Sequence, residues 1–127
     1  MNNRGFTLIE LILVIAILGI LAVSAMPKIF SLTTEANTAA ASGVAANVLA
    51  GITLYGAKQM ASTGVESYPA TLDGVADATP CAIATPCFTN VVKDGVTRDW
   101  TKTDATHYVH ATAGTYTYIP ATGLFSK

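Results

Sequence analysis

Hydrophobic residues fill the first part of the chain almost without interruption. Between Leu11 and Met26 only Gly19 and Ser24 are not apolar. The wider segment from Phe6 to Met26 has 21 residues and would form a helix about 31 Å long. Because the hydrocarbon core of a bilayer is about 30 Å thick, this pattern predicts a helix that can span a membrane.

Beyond Pro27 the hydrophobic positions recur every three or four residues as far as about Ser62. This period predicts that the helix continues with one apolar face. The stretch holds only three charged residues, Lys28, Glu35 and Lys58. A solvated helix normally carries more charge, so we expect the chain's own downstream domain to cover one side and neighbouring copies to cover the other. A helix packed only within one chain is the alternative.

Small residues are frequent on this second helical stretch, from Ala39 to Gly51, and would let neighbouring helices approach closely. The predicted apolar face consists of Leu32, Ala36, Ala40, Val44, Val48, Ile52 and Tyr55.

Residues 63–127 change to short runs rich in Val, Thr, Tyr and Trp, separated by turn residues such as Asp94-Gly95 and Ala113-Gly114. These runs predict an antiparallel sheet of three or four strands on the apolar face of the long helix. The fold class would then be α+β. The segment Gly64–Pro86, with three prolines, is predicted to be an exposed loop. The strand runs are Phe88–Lys93, Val96–Thr101, Thr106–Ala111 and Thr115–Pro120.

Composition gives little support for nucleic-acid binding or for catalysis. The net charge is −1 and Lys and Arg form no cluster. The two histidines, His107 and His110, would point to opposite faces of a strand. Asp73 and Asp77 could lie one helical turn apart, but Gly74 favours a loop. Motifs for phosphate loops, nucleophile elbows and zinc proteases are missing, so we expect no enzyme, no metal and no cofactor.

One charged residue, Glu10, lies within the apolar segment. A carboxylate there costs on the order of 3 kcal/mol at the helix centre and less near the interface. Arg4 and the small residues at Val23–Ala25 would also suit a cleaved secretory signal, but such a signal has no use for a carboxylate at this position. A passive membrane anchor has no use for it either. A cut between Gly5 and Phe6 would give Glu10 a partner, since the new amine of one copy could pair with the carboxylate of the next.

The run from Arg4 to Glu10, Arg-Gly-Phe-Thr-Leu-Ile-Glu, followed by the apolar segment, resembles the class III signal of type IV prepilins and pseudopilins. The resemblance implies that the prepilin peptidase cuts after Gly5, that the amine of Phe6 is methylated and that Glu10 serves assembly. Gly19 and Pro27 match the glycine that weakens the family's helix and the proline that kinks it. That stretch is therefore expected to unwind when subunits enter the filament.

The same resemblance divides the chain into four segments. They are a leader at residues 1–5, a transmembrane and polymerisation helix at 6–27, an amphipathic helix at 28–62, and a C-terminal loop and β domain at 63–127. Residues 25–32 and Gly43-Val44-Ala45-Ala46 are similar to major pilins of the mannose-sensitive haemagglutinin kind.

A subunit of this family is stored in the bacterial inner membrane and then exported into an extracellular pilus, or fimbrium. The resemblance implies a homopolymer of identical subunits, built by an ATPase, a platform protein and a secretin, that supports adhesion, surface attachment or motility. Arg4 agrees with a cytoplasmic leader. Contacts between non-identical patches would repeat without closing, which produces a fibre.

Three other functions compete with a major pilin. A type II secretion pseudopilin usually has an acidic calcium loop near its C-terminus, but Thr106–Lys127 contains no acidic residue. A minor pilin that acts as an adhesin or DNA receptor is disfavoured by the small size and the absence of a basic patch. An anchored binding module that never polymerises would need neither Glu10 nor the Gly5-Phe6 junction.

Cys81 and Cys87 have a spacing that fits neither the redox motif nor half of a common zinc pattern. Outside the cytoplasm a disulfide is the default, and it would stabilise the fold by about 2–3 kcal/mol. Many pilins close a wider loop than this short bridge. We expect the four aromatic residues at strand spacing to pack on the helix or on cross-strand neighbours: Trp100, Tyr108, Tyr116 and Tyr118.

Overall fold

The computed structural model describes residues 5–127, which fall into two compact units that divide between Ala36 and Asn37. A single α-helix, α1 (Leu8–Thr63), makes up most of the first unit and begins the second. The predicted long helix is therefore confirmed, with ends close to those expected. The predicted leader lies, except for Gly5, outside the described residues.

The C-terminal end of α1 follows from Gly64. This residue has a φ of 76°, a conformation that glycine adopts without the steric penalty of a side chain. Its N–H donates to the carbonyl of Met60 at 2.9 Å. A glycine in this position is a common helix terminator, since it satisfies one of the carbonyls that the last turn leaves free.

Within the second unit α1 buries one face, formed by Ala41, Val48, Ile52 and Gly56. The predicted apolar face is confirmed from Val44 onwards. Within the second unit the buried face begins at Ala41, and the adjacent Ala40 is exposed. The predicted face residues that precede Asn37, Leu32 and Ala36, are exposed as well.

In the described part of the chain the sheet is antiparallel and its five strands follow one another in chain order. The predicted α+β class and antiparallel sheet are confirmed, but the number of strands is five and not three or four. The strands are β1 (Thr79–Pro80), β2 (Trp100–Lys102), β3 (His107–His110), β4 (Gly114–Ile119) and β5 (Leu124–Ser126).

The prediction of a strand at Phe88–Lys93 is wrong. Phe88 has a φ of 63°, and its carbonyl accepts hydrogen bonds from the N–H groups of Val91 and Val92 at 3.1 and 2.8 Å. These turns take the backbone out of the extended conformation. A side-chain bond supports them, since the N–H of Phe88 donates to the Asp73 carboxylate at 3.0 Å.

The other strand predictions have mixed outcomes. The runs at Thr106–Ala111 and Thr115–Pro120 are confirmed as β3 and β4. The run Val96–Thr101 is mostly irregular, with an isolated bridge from Val96 to Cys87 before β2 begins. The short strands β1 and β5 were not predicted.

The segment Gly64–Pro86 is a loop as predicted, but it is not exposed throughout. It contains β1, and it buries Leu72 and Asp73 completely or almost so. Tyr118 holds another part of it, because its hydroxyl donates to the carbonyl of Pro69 at 2.6 Å. The loop therefore forms one wall of the core.

The core between α1 and the sheet consists mainly of aromatic rings. The predicted packing of Trp100, Tyr108, Tyr116 and Tyr118 is confirmed, since all four are buried with Val48 and Ile52 of α1 in one cluster. Phe88 meets Trp100 edge-on, with ring centres 5.5 Å apart, and Tyr116 stacks on Phe125 at 5.6 Å. Such pairs add about 0.5–1.5 kcal/mol each beyond the area they bury.

Candidate functional site

The helix of the first unit is apolar and entirely exposed. Every described residue from Gly5 to Ala36 is exposed, and the most apolar window of 18 residues in α1 has a mean hydropathy of 2.8 with none of it buried. By length and composition this helix could cross a membrane, a property that it shares with secretory signals.

Thr7 and Glu10 form a capping box at the start of α1. The Glu10 carboxylate accepts the Thr7 N–H at 2.9 Å and the Thr7 hydroxyl at 2.8 Å. The Thr7 oxygen in turn accepts the N–H of Glu10 at 3.4 Å. Sequence analysis missed this arrangement, although Thr-x-x-Glu before an apolar run is its known signature. In the single chain, Glu10 is therefore bound within its own first turn.

The Gly5-Phe6 junction precedes α1 and is open. Phe6 is 93% exposed. A Cβ added to Gly5 would meet no heavy atom within 4 Å. The described residues around the junction therefore leave it accessible to an enzyme.

Gly19 and Pro27 both lie inside α1, which continues through them. Proline has no N–H, so the carbonyl four residues earlier, at Val23, loses its helical partner. Glycine and proline inside a helix cost about 1 and 3 kcal/mol relative to alanine. The unwinding of this stretch during assembly stays a prediction.

The second unit contains a buried ionic cluster centred on Asp73. Its Oδ1 accepts the Lys102 ammonium group at 2.9 Å and the Val75 N–H at 3.2 Å. Its Oδ2 accepts the Phe88 N–H and the Tyr108 hydroxyl, both at 3.0 Å. The sequence placed Asp73 in a loop and Lys102 in a turn, so their partnership across 29 residues had no local signal.

The predicted disulfide is confirmed: Cys81 and Cys87 are bonded, with Cα atoms 5.4 Å apart. The loop that they close is tightened further by Ala82 and Thr85, whose N–H groups donate to each other's carbonyls at 3.1 and 3.0 Å. Between them Ile83 is 90% exposed. The bridge thus clamps a short apolar tip.

The two histidines serve separate structural roles. His107 contacts the Asp104 carboxylate at 2.9 Å, whereas His110 is buried beside Trp100 and accepts the N–H groups of Thr112 and Ala113. Within residues 5–127 no group of three or more His, Cys, Asp or Glu side chains could hold a metal ion.

Asp104 is the centre of a turn before β3. The backbone N–H of Thr106, followed by the His107 ring, lowers the pKa of its carboxyl well below the ordinary value of 3.8. The carboxylate oxygen Oδ1 accepts the Thr106 N–H at 2.8 Å and the His107 N–H at 3.0 Å. This turn is partly exposed and lies within the second unit.

Comparison with known proteins identifies the first segment. The family described as "Prokaryotic N-terminal methylation motif" matches residues 1–26. The matched segment contains Gly5, Phe6 and Glu10, so the start of the chain resembles that of a type IV pilin. A similar curated protein is the type IV narrow pilus major component PilA5 of Thermus thermophilus, 50% identical over 48 residues.

The resemblance to this pilin covers 38% of the chain and 41% of the relative's length. No solved structure matches the chain. The narrower similarity to pilins of the mannose-sensitive haemagglutinin kind stays a prediction.

Proposed function

We propose that the chain is the major structural subunit of a type IV pilus and is cut between Gly5 and Phe6 before it assembles. The single observation that carries this proposal is the position of Glu10. It is a carboxylate in the first turn of an exposed apolar helix, five residues after a glycine-phenylalanine junction.

The exposed apolar helix needs a covering that its own unit does not supply. Monomeric soluble proteins rarely expose apolar patches larger than a few hundred Å². Lipid of the bacterial inner membrane would cover the helix in the precursor, and helices of identical subunits would cover it in the filament. Burial of the helix against those subunits offsets the free-energy cost of taking it out of the lipid.

Glu10 would exchange its partner during assembly. In the single chain it accepts two hydrogen bonds from the neutral groups of Thr7. Cleavage by the prepilin peptidase would create an amine on Phe6, and a charged donor forms a stronger bond to a carboxylate than a neutral one. Pairing of Glu10 with Phe6 of an adjacent subunit would then set the axial register of the filament.

Further partners and locations follow from this function. An ATPase, a platform protein and a secretin would move subunits from the inner membrane to an extracellular pilus. Adhesion, surface attachment or motility would be the use of that fibre. The similar Thermus protein is a major pilus component, which supports the major role.

A type II secretion pseudopilin is the nearest alternative, followed by a minor pilin. The segment Thr106–Lys127 has no acidic residue and so lacks the calcium loop usual in major pseudopilins. The test is the intact mass of protein sheared from the cell surface. Subunits that begin at methylated Phe6 support the pilus. Processed protein confined to the membrane favours the pseudopilin, and an intact Met1 there contradicts the prepilin assignment.

A further inference from the structure

The buried cluster around Asp73 has the arrangement of a reacting pair as well as that of a salt bridge. We propose that Lys102 and Asp73 condense into an intramolecular amide bond between Nζ and Cγ, with the release of one water. This inference concerns the second unit and does not depend on the proposed function.

The two reacting groups already touch in a site without solvent. Nζ of Lys102 lies 2.9 Å from Oδ1 of Asp73, and the two side chains are 4% and 0% exposed. In the first step of the proposed reaction a proton passes along this hydrogen bond from Nζ to Oδ1, which leaves an amine and a carboxylic acid. These are the reactants from which an amide forms, and Cγ is one bond beyond Oδ1.

The other carboxyl oxygen is held where charge develops during attack. When the Nζ lone pair adds to Cγ, the carbonyl electrons move to Oδ2. The Phe88 N–H and the Tyr108 hydroxyl donate to Oδ2 at 3.0 Å each, which is how an oxyanion is stabilised. Burial, followed by the Asp73 charge, raises the pKa of Tyr108 far above its ordinary value, so its hydroxyl keeps the proton that it donates.

The leaving oxygen is Oδ1, which already carries the proton received from Lys102. A second proton passes from Nζ to Oδ1, the bond from Cγ to Oδ1 breaks, and water departs. Asp77 is placed to relay this proton and ends unchanged, since its Oδ1 is 3.9 Å from Nζ and its side chain is 63% exposed. No oxidant or reductant takes part.

The product amide would fit the site almost as it stands. Its N–H keeps the bond that Nζ makes to the Val75 carbonyl at 2.6 Å, and its carbonyl keeps the donors Phe88 and Tyr108. Two buried charges disappear, which removes their desolvation penalty. Only the Val75 N–H loses an acceptor, and that residue is half-buried. The new bond would tie the long loop covalently to β2.

The experiment is mass spectrometry of the intact full chain, purified in its oxidised form. The expected mass is lower than that of the disulfide-bonded sequence by one water. After reduction and digestion with trypsin, the chain should remain uncut at Lys102. A branched peptide should join the segments that contain residues 73 and 102. The full mass in folded, oxidised wild-type protein would overturn the proposal.

Two controls separate the amide from other losses of water. Asp73 precedes Gly74, and an aspartate in that position can cyclise onto the next backbone nitrogen, a loss of water that leaves Lys102 cleavable and gives no branched peptide. Finding that product alone also overturns the proposal.

Lys102→Arg keeps the positive charge but should regain the full mass, because guanidinium is not a nucleophile at neutral pH. Should Lys102→Arg fail to fold, the wild-type peptide spectrum decides alone.

Discussion

Two phenylalanines illustrate the contrast between the two units of the chain. Phe6, at the start of the first, is 93% exposed, whereas Phe88, in the second, is 0% exposed and packs among other aromatic rings. The second unit buries a core of apolar and aromatic side chains within itself. The first leaves its apolar groups exposed. If lipid and other subunits cover these groups, as we propose, mutations in the first unit should cause defects in assembly and not a loss of stability.

The largest effect is expected from Gly5→Ser, which should block cleavage of the leader. We expect all of the protein to stay at precursor length in the membrane and no filament to form, because the new amine of Phe6 is never made. The second unit should fold normally. Immunoblotting and the mass of the membrane fraction measure the outcome.

The matched control for this variant is Gly43→Ser, since an added Cβ at Gly43, as at Gly5, meets no heavy atom within 4 Å. It should be cut like the wild type. Normal cleavage of Gly5→Ser would show that the leader assignment is wrong.

Replacements of Glu10 separate its charge from its capping bonds. Glu10→Gln can still complete a capping box, which accepts Glu or Gln, but cannot pair ionically with an amine. We expect it to be cut normally and to lose most surface pili, as should Glu10→Val. Counting sheared pilin against membrane pilin measures the loss.

Thr7→Val is the converse variant, because it keeps the charge and removes the hydroxyl bond to Glu10. It should assemble far better than Glu10→Gln. If the two variants assembled equally poorly, helix capping and not charge pairing would explain the role of Glu10.

The same contrast explains what the sequence could predict. The helix was predictable because its period and composition are local, and the Gly5, Phe6 and Glu10 hypotheses rest on seven consecutive residues. Phe88–Lys93 was mispredicted because Asp73, 15 residues earlier, holds its backbone in turns. Gly51 was assigned to helix contacts between copies, yet an added Cβ there would collide with the backbone of Val91 in the same chain. The predictions for Phe88–Lys93 and Gly51 failed because interactions between residues distant in sequence determine the structure there.

Within the second unit, Asp73→Ala should have the largest effect on stability. Where the two side chains are an ion pair, the variant leaves the Lys102 ammonium group buried without its partner, and breaking a buried pair in this way costs about 3–5 kcal/mol. Urea unfolding of the full chain in detergent, followed by Trp100 fluorescence, measures the loss. The helical signal of the first unit should persist.

The control is Asp77→Ala, whose exposed carboxylate lies 3.9 Å from Lys102 and should contribute less than about 1 kcal/mol. The double variant Asp73→Ala/Lys102→Met should recover part of the loss. Equal effects of Asp73→Ala and Asp77→Ala would contradict the central role of the buried carboxylate.

A smaller effect is expected where α1 meets the loop at Gly51. Gly51→Ala would drive its Cβ into the carbonyl of Val91, and overpacking of this kind costs about 1–3 kcal/mol. Gly43→Ala, with open space around it, should instead stabilise α1 by up to about 1 kcal/mol. Thermal unfolding of the two variants, compared side by side, should move in opposite directions; a shift in the same direction would mean that helix propensity outweighs the steric clash.

The smallest effect concerns Asp104 and appears only in acid. Because the pKa of its carboxyl is lowered in the folded state, the group stabilises the fold above its ordinary pKa of 3.8, and this contribution is lost as the pH falls through the lowered value. Asp104→Asn should therefore be less stable than the wild type near neutral pH, and the two should converge in strong acid. His107→Gln should keep most of the dependence, since the Thr106 N–H is the main cause of the lowered pKa and remains. Urea midpoints over the acid range measure it, and parallel curves for wild type and Asp104→Asn would refute the assignment.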